Sequence, residues 1–181
     1  MIKNKLNLLF FSMIISLKGF SQSSGFYDFK VKTLEGGDFD FSSLKGKKVM
    51  VVNTASKCGF TPQYKELEEV SEKYRGDLVI IGFPANNFMN QEPGSATDIR
   101  KFCTEKFGVT FPLMEKISVK GADMHPVYKW LTSKDKNGVM DSEVKWNFQK
   151  YLIDENGKLV DVIYSKEKPS SEKVIAWISS K

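Results

Sequence analysis

Apolar and polar residues follow two different periods along the chain, and the changes of period predict its elements. Residues 49–54 and 78–83 are short, mostly apolar runs, which are typical of strands buried on both faces. The stretch between them, residues 62–74, repeats apolar side chains every three or four positions and is predicted as a helix with Thr61 as its N-cap. A strand, a helix and a second strand in this order predict a parallel βαβ unit.

The rest of the pattern predicts two β-hairpins and three more helices. No repeat, linker or low-complexity stretch divides the chain. The order of elements predicts one α/β domain with a central mixed β-sheet, flanking helices and an N-terminal β-hairpin, and the thioredoxin-like fold fits this order best. The hairpins cover residues 26–41 and 151–164, and the helices cover residues 96–107, 125–133 and 171–178.

The first 21 residues have the pattern of a signal peptide. Lys3 and Lys5 precede the apolar residues 6–17, and the small residues Gly19 and Ser21 follow. The apolar run is about 12 residues long, shorter than the roughly 20 that span a bilayer as a helix, so we expect no stable membrane insertion. We therefore expect residues 1–21 to be removed on export and residues 22–181 to form the mature domain. In a host with two membranes, the predicted location is the periplasm.

Charge and metal-ligand content exclude two classes of function. The chain carries a formal charge of +5, and three of its lysines precede residue 22, which leaves +2 for the remainder. So small a charge, without a basic run, argues against a nucleic-acid partner. With two cysteines and one histidine, a transition-metal site has too few ligands, so we expect no metal and no bound cofactor.

Cys58 is placed where a reactive thiolate would be stabilised. It follows a buried strand and precedes a predicted helix, whose first N–H groups favour an anion, and Lys57 is its neighbour. A thiolate is the form of cysteine that attacks a peroxide. An exported chain with only Cys58 and Cys103 equally suits one structural disulfide. From placement alone, both interpretations remain open.

Several blocks of sequence, in a fixed order, resemble the glutathione peroxidase family from about residue 26 to residue 173. One block is the segment around Cys58. The others are Gly-Phe-Pro-Ala-Asn-Asn-Phe at 82–88, Gln-Glu-Pro-Gly-Ser at 91–95, Phe-Gly-Val-Thr-Phe-Pro-Leu at 107–113 and Lys-Trp-Asn-Phe at 145–148. The resemblance implies a thioredoxin-like fold and the reduction of hydrogen peroxide and organic or lipid hydroperoxides.

The resemblance also implies a catalytic set. In the family a cysteine or selenocysteine is surrounded by donors from a Gln, a Trp and an Asn, and here Cys58, Trp146 and Asn147 match by motif. Asn87 is assigned to the place of the Gln, which shortens the amide by one methylene. We therefore expect Asn87 to approach Cys58 closely, with Gln91 or a water molecule as the alternative donor.

Cys103 matches the resolving cysteine of the thioredoxin-dependent members of the family. The implied cycle runs from the Cys58 thiol through a sulfenic acid to a Cys58–Cys103 disulfide, which a thioredoxin-like dithiol protein reduces. Glutathione is the less favoured donor. Because the two cysteines are predicted at different helices, we expect the Cys103 helix to unwind locally before the bond forms.

Two other functions use the same two cysteines. A thiol-disulfide relay would sense peroxide and oxidise a partner protein, although the chain has no Cys-x-x-Cys motif. A non-catalytic exported module would keep one permanent structural disulfide. The connection over residues 133–143 is short, which resembles the small monomeric members of the family, so we expect a monomer.

Overall fold

The computed structural model describes residues 25–180 of the 181-residue chain. The predicted signal peptide, residues 1–21, lies outside the described residues. Among the helices of residues 25–180, none is long and apolar enough to cross a membrane.

Six strands form two sheets in the described part of the chain. They are β1 (Lys30–Lys32), β2 (Asp38–Asp40), β3 (Lys48–Thr54), β4 (Leu78–Pro84), β5 (Lys150–Ile153) and β6 (Leu159–Ile163). The larger sheet has the order β4-β3-β5-β6, with β3 parallel to β4 and antiparallel to β5. Strands β5 and β6 form the predicted antiparallel hairpin. The predicted mixed sheet with its parallel pair is therefore confirmed.

Alternate residues of β3 face two different cores, because successive side chains of a strand point to opposite faces. Val49 and Val51 belong to one hydrophobic cluster, and Met50 and Val52 belong to the other. All four side chains are completely buried. The continuous apolar run in the sequence thus reflects burial on both faces of the sheet.

Residues 25–180 contain five α-helices, and four of them cover the two faces of the larger sheet. The five are α1 (Gln63–Lys73), α2 (Ala96–Phe107), α3 (Pro126–Thr132), α4 (Lys134–Asn137) and α5 (Glu172–Ser179). Helices α1, α2 and α5 bury side chains in the cluster that contains Met50, whereas α3 packs in the cluster that contains Val49. Flanking helices on both faces were predicted and are confirmed. The single turn of α4 was not predicted.

The start of α1 differs from the prediction in a way that matters for the site. The helix begins at Gln63, and the residue at its N-cap position is Pro62. Thr61 instead closes the loop before the helix: its hydroxyl accepts a hydrogen bond from the Cys58 N–H (3.0 Å) and donates one to the Ala55 carbonyl (2.8 Å). A local pattern cannot reveal this, because a threonine before a helix can cap it or close a turn.

The predicted N-terminal hairpin is present but forms its own small sheet. Strands β1 and β2 pair in antiparallel fashion with Val31 opposite Phe39. Short 3-10 helices, Phe26–Asp28 and Phe41–Leu44, flank the hairpin. The hairpin is tied to the rest of the domain through Leu34, whose N–H donates to the Leu113 carbonyl (2.9 Å).

Candidate active site

Cys58 lies in the loop that joins the end of β3 to the start of α1. Its side chain is 7% exposed, and its sulfur accepts a hydrogen bond from the Phe60 N–H at 3.4 Å. The Thr61 hydroxyl holds the two ends of this loop together, as described above. A backbone donor is thus aimed at the sulfur, and the loop presents Cys58 at the junction of strand and helix.

The segment that carries Trp146 and Asn147 is fastened to the carboxyl end of β3. Asn53 donates from its side-chain amide to the Trp146 carbonyl (3.1 Å), and the Phe148 N–H donates to the Asn53 carbonyl (2.6 Å). Phe148 has a φ of 63°, a left-handed conformation that sharply redirects the chain before β5. Trp146 and Asn147 are therefore held at the edge of the sheet from which the Cys58 loop leaves.

A second loop brings Gln91 to the same place. The side chain of Asn147 is completely buried, and its Nδ2 donates to Oε1 of Gln91 at 3.0 Å. The Gln91 carbonyl accepts a hydrogen bond from the N–H of Lys57 at 3.0 Å, one residue before Cys58. The structure thus links Asn147 to Gln91, and Gln91 to the residue before Cys58, while Trp146 precedes Asn147 in the chain.

Asn87, which was expected at this site, has a different position. Its Nδ2 donates to the Ser118 hydroxyl (2.9 Å) and the Lys120 carbonyl (3.2 Å), and its Oδ1 accepts from the Val119 N–H (2.9 Å). The carboxamide is thus engaged on both sides with residues 118–120. This corrects the expectation: Gln91, considered only as an alternative donor, makes the contact with Asn147. The signal for it was the Gln-Glu-Pro-Gly block itself.

Cys103 lies in the middle of α2, on the face that packs against the sheet. Both Cys103 and Cys58 are free thiols in this structure, and Cys103 is completely buried. Burial raises the pKa of the Cys103 thiol to about 11. The hydroxyl of Tyr64 lies near this thiol, although no hydrogen bond of normal geometry joins them. In this conformation Cys103 is therefore a protonated thiol shielded from solvent.

An open aromatic groove lies beside the nucleophile. Phe60, two residues after Cys58, and Trp146, next to Asn147, line a cavity of about 400 Å³ together with Tyr164 and Lys145. Lys145 places its ammonium 4.8 Å from the centre of the Tyr164 ring. Within residues 25–180, no group of three His, Cys, Asp or Glu side chains is placed to hold a metal ion.

Comparison with known proteins identifies the family. A family model described as glutathione peroxidase matches residues 26–132, more than half of the chain. The chain belongs to the glutathione peroxidase family. It is a peroxidase that reduces hydroperoxides by thiol chemistry, as predicted, and the alternative of a non-catalytic module is set aside.

Similar family members come from fungi and bacteria. Glutathione peroxidase-like peroxiredoxin 2 of Saccharomyces cerevisiae is 51% identical over 150 residues, which cover 82% of this chain and 93% of that protein. Glutathione peroxidase of Lactococcus lactis subsp. cremoris is 46% identical over 145 residues, which cover 80% of this chain and 92% of that protein.

Solved structures confirm the thioredoxin-like fold. The crystal structure of Trgpx in apo form matches with a TM-score of 0.66 at 42% identity, over 87% of this chain and 97% of that chain. A thiol:disulfide interchange protein of the thioredoxin family from Chlorobium tepidum TLS matches with a TM-score of 0.56 at 18% identity, over 87% and 94%. At that identity the second likeness shows the fold alone.

Proposed function

We propose that this peroxidase reduces hydroperoxides through Cys58, with Gln91, Trp146 and Asn147 as the donors around the reacting oxygen. The observation that carries the assignment is the hydrogen bond from the Asn147 side chain to the Gln91 side chain. The backbone carbonyl of Gln91 is itself bonded to the residue before Cys58, which ties Gln91 to the Cys58 loop. Amide and indole N–H groups placed near the sulfur would stabilise both the thiolate and the oxygen that leaves it.

The first half of the cycle breaks the peroxide bond. The Cys58 thiolate attacks the distal oxygen, an S–O bond forms, and the O–O bond breaks. The departing oxygen takes a proton and leaves as water or an alcohol, and Cys58 becomes a sulfenic acid. The sulfur is oxidised by two electrons and the peroxide is reduced by two.

The second half returns the thiol through Cys103. The Cys103 sulfur attacks Cys58, the S–O bond breaks, and water leaves as the disulfide forms. Because Cys103 is completely buried on α2, this step requires the helix to open locally. A thioredoxin-like dithiol protein then reduces the disulfide. This choice of reductant is supported by the names of the relatives, which call them peroxiredoxins.

The cellular setting is part of the proposal. The pattern of residues 1–21 supports export, and in a host with two membranes it supports a periplasmic location. A cytosolic thioredoxin would not reach the enzyme there, so the donor has to be an exported thioredoxin-like protein. We propose that the mature chain works as a monomer.

Rapid mixing of the reduced protein with hydrogen peroxide tests the cycle, with thiol states followed by mass spectrometry. We expect the wild type to form the Cys58–Cys103 disulfide. Cys58→Ser should not react faster than a free thiol, and Cys103→Ser should stop at the sulfenic acid or at higher oxidation states. A Cys103→Ser variant that turns over with a thioredoxin-like donor at the wild-type rate would contradict the two-cysteine cycle.

A further inference from the structure

Glu92 is a buried carboxyl group with an unused oxygen. Its side chain is 1% exposed, and Oε1 accepts a hydrogen bond from the Ser56 hydroxyl at 2.7 Å. The other oxygen, Oε2, has no hydrogen-bond partner in the described part of the chain. A buried polar atom left without a partner is costly and calls for an explanation, because its desolvation is not compensated.

The backbone of Glu92 is held independently of its carboxyl group. Its N–H donates to Oδ1 of Asn86 (2.8 Å), and its carbonyl accepts from the ammonium of Lys116 (3.2 Å). Lys116 also donates to the Gly94 carbonyl at 2.8 Å. The loop therefore has anchors of its own, and the buried acid is not needed to fix its path.

Glu92 lies between the loop of one cysteine and the helix of the other. Ser56 and Lys57 precede Cys58, and they line a cavity of about 270 Å³ together with Glu92. The opposite wall belongs to α2, through Ile99 and Phe102. Because residues four positions apart share a helix face, Ile99 lies on the same face of α2 as Cys103.

Formation of the disulfide poses a proton problem at this place. The Cys103 thiol must lose its proton to become a nucleophile, and the hydroxyl group on Cys58 must gain one to leave as water. While α2 is closed, burial raises the pKa of the Cys103 thiol to about 11, so the helix opens with this thiol still protonated. A group that accepts the first proton and donates the second would remove both obstacles.

We propose that Glu92 is this group: its carboxylate takes the proton of the Cys103 thiol and delivers it to the hydroxyl oxygen that leaves Cys58. This proposal rests on the proposed two-cysteine cycle. The Cys58–Cys103 bond forms, the S–O bond of the sulfenic acid breaks, and water carries the proton away. Glu92 is again a carboxylate at the end of the step, and no other oxidant or reductant is needed.

The charges around Glu92 give the step a pH dependence. Burial raises the pKa of its carboxyl group, while the Ser56 hydrogen bond and the positive charges of Lys116 and Lys57 oppose the shift.

Tyr64 and Cys103 also face Glu92, and both are neutral near neutral pH because burial raises their pKa values. Asp98 lines the same cavity from α2, with its pKa lowered by hydrogen bonds from Ser95. The rate of disulfide formation should therefore rise with pH through the raised pKa of Glu92.

Stopped-flow tryptophan fluorescence of the reduced protein, with trapping of sulfenic acid, separates the two steps. Oxidation of Cys58 depends on the peroxide concentration, whereas disulfide formation does not. We expect Glu92→Gln to slow disulfide formation by about 10²-fold, much more than it slows Cys58 oxidation. The pH-dependent rise seen in the wild type should disappear, leaving only the ionisation of Cys103, and Glu92→Asp should restore part of that rise.

Ser56→Ala is the matched control, because it removes the hydrogen bond to Glu92 and keeps the acid. If Glu92 only held the loop through this hydrogen bond, Glu92→Gln, whose amide oxygen still accepts it, would slow disulfide formation no more than Ser56→Ala and would leave the pH profile unchanged. That result would overturn the proposal. Unchanged disulfide formation in Glu92→Gln would also overturn it. A wild type that forms no disulfide at all would instead refute the two-cysteine cycle itself.

Discussion

Two carboxamides on one loop, four residues apart, have different functions because the backbone between them turns back. Met89 and Asn90 both have a φ of 52°, a left-handed conformation that non-glycine residues adopt at a cost of about 1 kcal/mol each. This reversal leaves Asn87 bonded to residues 118–120 and presents Gln91 to Asn147. Side-chain chemistry alone does not distinguish the two positions.

Replacing each of these two amide residues by alanine tests which of them serves the site. We expect Gln91→Ala to lower the rate of Cys58 oxidation by peroxide by about 10²-fold, because a donor to the reacting oxygen is lost. Asn87→Ala should change that rate by less than about twofold and lower the free energy of unfolding by about 1 kcal/mol. Stopped-flow oxidation and urea unfolding measure the two quantities. The reverse ranking of the two variants would restore Asn87 to the site.

Lys150 is a second residue whose burial determines its behaviour. Its side chain is completely buried, and its ammonium donates to Oε1 of Gln63 and to the Glu167 carbonyl, each at 2.6 Å. Burial lowers the pKa of Lys150 from 10.5 to about 7, against the attraction of Glu167 and Glu66. Between these two values the unfolded chain binds the proton and the folded chain does not. The contribution of Lys150 to stability therefore rises with pH across that window.

Replacing Lys150 should remove this pH dependence. We expect the free energy of unfolding of the wild type to gain a few kcal/mol, relative to Lys150→Met, as the pH rises from about 7 to about 10. Urea unfolding at a series of pH values measures the difference. Lys166→Met is the control, because Lys166 is an exposed lysine close by in the chain. Parallel pH profiles for wild type and Lys150→Met would contradict the lowered pKa.

At the scale of elements, helix α2 is capped at both ends and carries Cys103, the proposed resolving cysteine, between them. Ser95 and Asp98 form a reciprocal capping box at its start, and Gly108, with a φ of 64°, ends it. On the outer face of the helix, the Arg100 guanidinium pairs with Glu35 of the β1–β2 hairpin. This pair ties the helix that opens in the proposed cycle to the β1–β2 hairpin.

Breaking the pair between Arg100 and Glu35 should make disulfide formation faster. We expect Glu35→Gln to raise the rate of the step after Cys58 oxidation by about two- to fivefold, the range for a partly exposed ion pair, and less at high salt. Asp38→Asn is the control, because Asp38 pairs with Lys32 within the same hairpin. The same stopped-flow trace gives both rates. No acceleration in Glu35→Gln would show that this pair does not restrain α2.

At the scale of the whole molecule, the reduced protein has a complete core with both thiols inside it. Cys58 and Cys103 belong to one hydrophobic cluster, together with side chains from β3, α1, α2 and α5. In the proposed cycle, disulfide formation would displace part of α2 from this cluster, and the oxidised protein would give up packing that the reduced protein has.

Oxidation should therefore lower the stability of this protein. We expect the melting temperature to fall by several degrees when the Cys58–Cys103 disulfide forms, at about 2–4 °C for each kcal/mol of lost stability. Calorimetry of the peroxide-treated and reduced protein measures the shift, with Cys103→Ser given the same treatment as control. A structural disulfide predicts the opposite sign, a gain of about 2–4 kcal/mol on oxidation.

The local pattern was sufficient for most elements and for the position of Cys58. The apolar runs of β3 and β4, with the helical period of α1 between them, predicted the parallel pair correctly. The reason is that the spacing of apolar residues within a short segment indicates both its secondary structure and which of its side chains are buried. Cys58 was found at the junction of strand and helix for the same reason. Thr61 was assigned wrongly, because a cap and a closed turn have the same local sequence.

What only the tertiary structure decided is which distant side chains meet. The backbone reversal at Met89 and Asn90 places Gln91, and not Asn87, against Asn147. The approach of α2 to the Cys58 loop buries Glu92. These outcomes depend on contacts between residues tens of positions apart, and burial then sets the charge state of each group. A single sequence determines the period of its own elements, whereas the neighbours of a side chain exist only after those elements have packed.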